Sequence, residues 1–318
     1  MDRPAIAILL LALLTTACGP PTRSSGCSGA QFVIAGPGGL QCLDPRGAAL
    51  RKLVALPGLT SPRFATRQVS TGRIFFTLTF VLDPKTGFGS DLLSVAADGS
   101  DLRTVLAHES EGVFYDSPNP DGDGTFLYFH RAANVFRDGA YAGAESLIER
   151  LELKSGHRTV VVRDAADPTL SPDGKTVAFV RIANGRADGL WVVDASGANP
   201  RNLLPGHAFA QIQTPRFAPD GHRIAFSAAG HVGPTSGRLP HFAHLGIPSE
   251  LYIVGLDGTG LRSIATSADD IIPGWSPDGS SIAFIATGSL LVTDVASAAT
   301  RTLASTEGFP YGDVVWVR

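Results

Sequence analysis

The sequence predicts an all-β fold, a six-bladed β-propeller of four-stranded antiparallel blades closed by the C-terminal strand, which completes blade 1. Three observations predict it. An arginine follows the same phrase, an apolar strand and a short Asp/Gly/Ser turn, at Arg51, Arg103, Arg158, Arg201, Arg262 and Arg301. A second unit, Pro-x-aromatic-Ser-Pro-Asp-Gly leading into an Ile-Ala-Phe-like triplet, precedes most of them and is clearest over residues 168–179 and 273–284. Third, 36 Gly and 22 Pro beside 44% hydrophobic residues suit short strands joined by tight turns. A strand-built repeat of about 40 to 60 residues is the signature of a propeller.

From the N-terminus, residues 1–17 read as an export signal. Residues 5–14 form an unbroken apolar run, too short for a permanent membrane span. The run leads into Leu14-Thr15-Thr16-Ala17-Cys18-Gly19. This segment resembles a bacterial lipoprotein signal, which implies that Cys18 carries the lipid. Ordinary signal cleavage and a retained anchor are the other readings. Residues 18–29 then form a tether, and residues 30–318 a single propeller domain. The formal net charge of -3 offers no basic stripe for nucleic acid. With Cys18 lipidated, Cys27 and Cys42 are the remaining thiols. In an oxidising compartment they either bridge, closing a loop of about fifteen residues, or stay unpaired.

Each unit reads as four strands, A to D. Residues 31–56 supply B, C and D of the first blade around Phe32, Cys42 and Arg51. In later blades strand A carries the Pro-x-aromatic segment, as in Pro215-Arg216-Phe217 and Pro273-Gly274-Trp275. Pro-Asp-Gly then turns the chain, Pro presetting φ and Gly supplying positive φ. Strand B follows as Val177-Ala178-Phe179, Ile224-Ala225-Phe226, Ile282-Ala283-Phe284 and, more loosely, Ile74-Phe75-Phe76. Strand C is Leu190-Trp191-Val192-Val193 or Leu251-Tyr252-Ile253-Val254, and strand D begins at the recurring arginine. The arginines are assigned to structure, with the Asp or carbonyls of the preceding turn as partners. Residues 313–318 look like a strand A with no blade behind it, and joining them to the first unit closes the ring.

Ser171-Pro172-Asp173-Gly174 and Ser276-Pro277-Asp278-Gly279, with the strands after them, resemble the TolB-like propeller repeat family over residues 30–318. The resemblance implies a propeller, and for function it points to lipoproteins, envelope assembly factors or the gating domain of prolyl-oligopeptidase-like enzymes. No Gly-x-Ser-x-Gly nucleophile elbow occurs.

Insertions fall on one face, in B-to-C loops over residues 80–90, 131–145 and 228–250, which places the working surface there. In the last loop His231, His241 and His244, with His207 nearby, offer imidazoles at a spacing that suits Zn²⁺. Polar loop filler is the competing reading. Glu109, Glu111, Asp164, Asp167, Asp269, Asp270, Glu307 and Asp313 lie in or beside D-to-A connections. There they either converge on the central mouth to hold a cation or basic peptide, or are solvated charges, with Asp116, Asp167 and Asp313 capping turns. Asn119-x-Asp121-x-Asp123-Gly124 matches the start of a calcium loop but ends on His130 where a bidentate Glu belongs. Phe136, Tyr141 and Phe242 are candidates for an exposed aromatic platform.

The expectation is a monomeric, lipid-anchored, exported scaffold that binds an envelope protein or peptide and meets the membrane through its N-terminal lipid only. It predicts no cofactor, with Zn or Ca as the ions its residues would suit. The alternatives are an enzyme using the central mouth, either a metal-dependent lactonase or glycan-active, and a glycan-binding lipoprotein.

Overall fold

The computed structural model of the protein describes residues 27–56, 60–207, 209–229, 248–306 and 312–318. The first unit holds β1 (Phe32–Gly36), β2 (Gly39–Leu43) and β3 (Ala49–Ala55), and the second β4 (Ser61–Arg67), β5 (Ile74–Asp83), β6 (Gly87–Val95) and β7 (Arg103–Leu106). The third has β8 (Val113–Pro120), β9 (Phe126–Arg137), β10 (Ala140–Glu152) and β11 (Arg158–Arg163). The fourth has β12 (Ala165–Leu170), β13 (Thr176–Ala183), β14 (Arg186–Asp194) and β15 (Arg201–Asn202). The fifth has β16 (Gln211–Phe217), β17 (Arg223–Ala229), β18 (Ser249–Gly255) and β19 (Arg262–Ser267). Finally come β20 (Gly274–Trp275), β21 (Ser281–Ala286), β22 (Ser289–Asp294), β23 (Thr300–Ser305) and β24 (Asp313–Trp316). The described residues contain no helix, and hence none long and apolar enough to cross a membrane.

Four sheets have four strands each: β24-β1-β2-β3, β12 to β15, β16 to β19, and β20 to β23. The last strand thus pairs with the first, Phe32 opposite Trp316 and Ala35 opposite Asp313. A fifth sheet has eight strands, but its halves β4–β7 and β8–β11 meet through one parallel pair, Ser90 with Phe114. Every sheet is open.

The side-chain alternation of the second strand in each unit explains how the units stack. In Val177-Ala178-Phe179, Val177 and Phe179 pack with Tyr128 and Ile148 of the unit before, whereas Ala178 packs with Ile224 and Phe226 of the unit after. Ile282 and Phe284 likewise face Leu251 and Ile253, and Ala283 faces Phe32 and Ile34. Successive Cβ atoms point to opposite faces, so a strand between two sheets is apolar at every position. The apolar clusters so formed join each unit to the next, and the last to the first.

The Ser-Pro-Asp-Gly turn is held by its own side chains. Ser171 Oγ donates to Asp173 Oδ1 at 2.6 Å and accepts from Thr176 N at 2.9 Å, while Gly174 N closes on Ser171 O at 2.8 Å. Gly174 takes φ +72°, where a side chain would be strained. Ser276 and Asp278 repeat the arrangement.

Two expectations are corrected. Residues 80–90 and 131–145 are not loops: β5 with β6 and β9 with β10 continue as paired strands to turns near Lys85 and Asp138. Their alternating apolar residues extend the ladder, and tight turns close it. Two of the repeated arginines, second, reach past their own turns, while Arg103 lies 4.0 Å from Asp101 of its own. Arg201 Nη2 donates to Leu256 O at 2.7 Å, and Arg262 Nη2 donates to Val295 O, each in the following unit. A guanidinium is long enough to cross between outer edges. The third blade-5 insertion lies outside the described residues except at its two ends.

Candidate functional site

The first strands of four units break at the same point. Registers shift between Arg63 and Thr66, Asp116 and Asn119, Ala166 and Thr169, and Gln213 and Arg216. At each bulge one non-glycine residue is left-handed: Phe64 (φ 53°), Ser117 (50°), Asp167 (47°) and Thr214 (48°). Such a bulge turns a backbone N–H out of the ladder. A carboxylate from the preceding unit accepts it in two cases: Phe64 N donates to Asp313 Oδ2 at 2.7 Å, and Thr214 N to Asp167 Oδ2 at 3.0 Å.

These bonds belong to a longer circuit. Ser117 Oγ donates to Asp167 Oδ1 at 3.2 Å and Asn119 Nδ2 to Pro168 O at 2.8 Å. Thr214 Oγ1 donates to Ile271 O at 2.9 Å, Trp275 Nε1 to Arg216 O at 3.0 Å, and Trp316 Nε1 to Gly274 O at 2.7 Å. Asp167 and Asp313 therefore hold neighbouring strands together before they can do anything else.

Asp116, Arg63 and Arg216 make the electrostatics of this centre. Burial pushes the Asp116 carboxyl up to about 7; Arg63 pulls it down and Asp167 adds to the rise. Arg216 is only 9% exposed. Burial lowers its guanidinium, opposed by Asp313 and Asp167. Its Nη1 donates to Pro215 O at 2.9 Å, and its Nη2 has no acceptor among the described residues. A carboxyl poised near neutrality in the field of Arg63 can take a proton, or hold a polar group of a ligand.

The other predicted acids are dispersed. Asp270 is 3% exposed and accepts from Gln213 and Ser249, so its side chain is committed inside the fold. Asp269 accepts from the Asp270 amide. Glu109 lies between Arg131 and Arg158, at 2.7 Å from each, and accepts from the Tyr115 hydroxyl. Burial alone would raise its carboxyl, but hydrogen bonds from Tyr115, Arg158 and Arg131 outweigh that and hold it at about 2. Asp164 is exposed, as is Glu111, near the tip of the β5/β6 hairpin at Gly87. Glu307 lies outside the described residues.

His207 is exposed and stacks on Phe209, but His231, His241, His244 and Phe242 lie outside the described residues. Among those described, no three His, Cys, Asp or Glu side chains are placed to hold a metal ion. Asp121 and Asp123 accept from the amides of Gly124 and Thr125 in their own turn. Cys27 and Cys42 are joined by a disulfide, with Cα atoms 5.7 Å apart.

The two long hairpins rise past the central strands. Ser61, first in β4, pairs with Thr79, and Val113, first in β8, pairs with Ala133, so residues 80–90 and 134–143 project beyond them. They carry exposed Phe80, Leu82 and Phe88 on one and Phe136 and Tyr141 on the other. The segment between them ties them together: Gly112 N donates to Phe88 O and Asn134 N to Gly112 O, at 2.8 and 3.0 Å. His108, 1% exposed, is the clamp at its centre. Its Nδ1 lies 2.6 Å from Asp91 Oδ1, and its Nε2 lies 3.0 Å from Gly87 O and 2.9 Å from Thr86 Oγ1. Burial disfavours the imidazolium, but Asp91 and the Gly87 carbonyl outweigh it and raise its pKa.

No protein-family model matches the chain. Over 235 residues it is 31% identical to the Tol-Pal system protein TolB of Bordetella parapertussis and 25% identical to that of Bordetella pertussis, covering 61% of this chain and 52% of each relative. TolB from Acinetobacter baumannii superposes with a TM-score of 0.66 at 14% identity, over 93% of this chain and 68% of that one. The chain is TolB-like in fold and, over those 235 residues, in sequence. It spans about half the length of the curated TolB relatives. A manganese-bound oligogalacturonate lyase shares the fold, with a TM-score of 0.56 at 15% identity over 88% of this chain and 75% of that one.

Sequence reasoning missed Asp116 as an acid perturbed beside Arg63 and Asp167, Arg216 as a buried cation facing Asp313 and Asp167, and His108 as a clamp. The one local signal was the Pro that directly follows Ser117, Asp167 and Thr214 in strand A and marks the bulge, a signal missing at Phe64, which Ala65 follows.

Proposed function

We propose that this TolB-like chain is a scaffold of the bacterial cell envelope that binds a partner protein through the face bearing the two projecting hairpins. The observation that carries it is the rim: five exposed apolar or aromatic side chains on β-hairpins that backbone bonds lock together. Exposed aromatics on a rigid support suit recognition. In this reading the units close as a six-bladed ring, residues 30–318 being one domain. The reading is supported by the β24–β1 pairing and by the circuit of bonds between first strands. A monomer is anchored by lipid on Cys18, after cleavage of residues 1–17, and tethered by residues 18–29 on the periplasmic or outer side of the membrane.

The test is photo-crosslinking from positions 80 and 136 in intact cells. Capture of the same envelope protein from both positions is expected, and no capture from either would sink the reading. Palmitate labelling that Cys18→Ser abolishes is expected for the anchor, and labelling that survives the change refutes it. A second reading, an enzyme working at the central mouth on a glycan or lactone, has Asp116 in its favour, because a carboxyl near 7 suits proton transfer. Turnover of a uronate oligosaccharide or a lactone that Asp116→Asn abolishes would establish it, and no turnover by the unaltered protein sets it aside.

A further inference from the structure

The third unit has an outer strand half as long as its neighbour. β10 runs thirteen residues and β11 six. β9 pairs with β10 from Ala140 to Glu152, with one bulge at Ala142 between Tyr141 and Gly143, but β11 pairs only with Leu147 to Leu151. The outer edge of residues 140–146 therefore has no ladder partner among the described residues. In the first, fifth and last units the outer strand reaches the start of its neighbour, pairing Ala55 with Gly39, Ser267 with Ser249 and Ser305 with Ser289.

The second unit shows how this fold closes such an edge. β7 pairs only with Leu92 to Ser94 of β6. Beyond it the incoming segment takes over: His108 N donates to Asp91 Oδ1, Gly112 N donates to Phe88 O, and Phe114 pairs in parallel with Ser90. The edge of β10 has no such cover among the described residues.

Its composition leaves it unguarded. Residues 140–146 are Ala-Tyr-Ala-Gly-Ala-Glu-Ser, with no Pro, Lys or Arg and one acid. Exposed edges are ordinarily blunted by charge, proline or twist, because their free N–H and C=O groups template another strand. Small side chains at Ala140, Ala142, Gly143 and Ala144 let a second backbone approach closely. Phe136 and Tyr141, 60% and 58% exposed with ring centroids 6.0 Å apart, stand at the hairpin tip as an apolar contact.

The edge runs down to Arg163, where β11 ends, and a groove of about 560 Å³ opens there between β11 and the fourth unit. Phe179 and Val193 line it as buried apolar surface, with two cations, Arg163 and Arg181, against the one acid Asp164, and Trp191 beside them. Arg163 is 67% exposed, and its contact with Glu145 is a loose 3.6 Å. The indole N–H of Trp191 has no acceptor among the described residues, whereas those of Trp275 and Trp316 are both bonded. That end suits an acidic side chain.

We propose that residues 140–146 of β10 receive an extended segment of a partner polypeptide as an added strand, with an acidic residue at its Arg163 end. The open backbone edge calls for a polypeptide in β conformation, since only a second strand can satisfy the row of main-chain groups in register. The inference rests on the scaffold reading and names the mode of binding within it.

The test selects binders to the full chain from a displayed library of random ten-residue peptides, then follows amide hydrogen exchange with a selected synthetic peptide bound. The expected result is at least tenfold slower exchange (~10×, about 1.4 kcal/mol) within 140–146, with acidic residues recurring at one end of the selected peptides. Ala142→Lys with Ala144→Lys, which places charge on the edge, should weaken binding at least tenfold while leaving the thermal midpoint unchanged. Exchange in the unaltered protein keeps the test independent of how that variant folds. Selected peptides that protect other amides and leave 140–146 as in the free chain would overturn the inference, as would a selection that yields no binder. Dimers that protect 140–146 without peptide would also overturn it, by making the edge a contact between copies. Crosslinking from positions 80 and 136 separates the two readings: a captured envelope protein with 140–146 unprotected leaves the scaffold standing and removes this edge.

Discussion

Replacing Glu109 by Gln removes one charge from the base of the rim without changing its size. Glu109 Oε1 accepts from Arg131 Nε and Nη2 at 3.0 and 2.7 Å, and Oε2 accepts from Arg158 Nη1 at 2.7 Å and from Tyr115 Oη. Arg158 also meets Glu149, only 7% exposed, at 2.7 Å. A carboxyl held at about 2 rather than 4.5 would correspond to ~3 kcal/mol if none of it were screened. Glu109 is 39% exposed, so solvent reduces this to about 1–2 kcal/mol. The sign follows from linkage. A carboxyl depressed in the folded state contributes stability above its unfolded value near 4.5, and that contribution is lost as pH falls toward about 2. Urea unfolding at pH 7 should therefore show Glu109→Gln less stable by about 1–2 kcal/mol. The gap should narrow at pH 3, because the unaltered protein is losing what the variant never had. Equal stabilities at pH 7, or a gap that stays constant down to pH 3, would refute the reasoning.

Three further outcomes are expected. Asp313→Ala leaves the Phe64 amide without its acceptor at a position 2% exposed and should cost about 2–4 kcal/mol in denaturant unfolding; a cost below about 0.5 kcal/mol would show that the bulge does not depend on it. The Asp116 carboxyl, followed by carbon NMR, should titrate near 7, moving up in Arg63→Ala and down in Asp167→Asn; titration near 4 in the unaltered protein defeats the assignment. Replacing Cys27 and Cys42 by Ser, which opens a sequence separation of 15, should cost about 3 kcal/mol by the chain-entropy relation, measured as a lower urea midpoint; an unchanged midpoint contradicts it.

Much of the architecture was legible because its causes are local. Ser171, Asp173 and Gly174 bond to one another within four residues, so the turn can be read wherever those residue types recur. Val177, Ala178 and Phe179 alternate between two neighbouring sheets, which the unbroken apolar triplet announces. Residues 80–90 misled because the turn at Pro84-Lys85-Thr86-Gly87 punctuates two strands that remain paired, whereas length alone suggested a loop. The acids misled for another reason. Asp167 and Glu109 sit in comparable connections, yet one bonds the amide of Thr214 and the other sits between two arginines and a tyrosine.

The repeat, the four-stranded unit and the partner of the last strand follow from the order of residues alone, since strand periodicity and turn chemistry are properties of neighbouring residues. It took the folded arrangement to show that burial pushes the Asp116 carboxyl up toward about 7 beside Arg63 and Asp167, that His108 clamps a hairpin to Asp91, and that β11 stops short of the β10 edge. Desolvation, charge proximity and an unfilled ladder each depend on groups tens of residues apart, and no local pattern carries them.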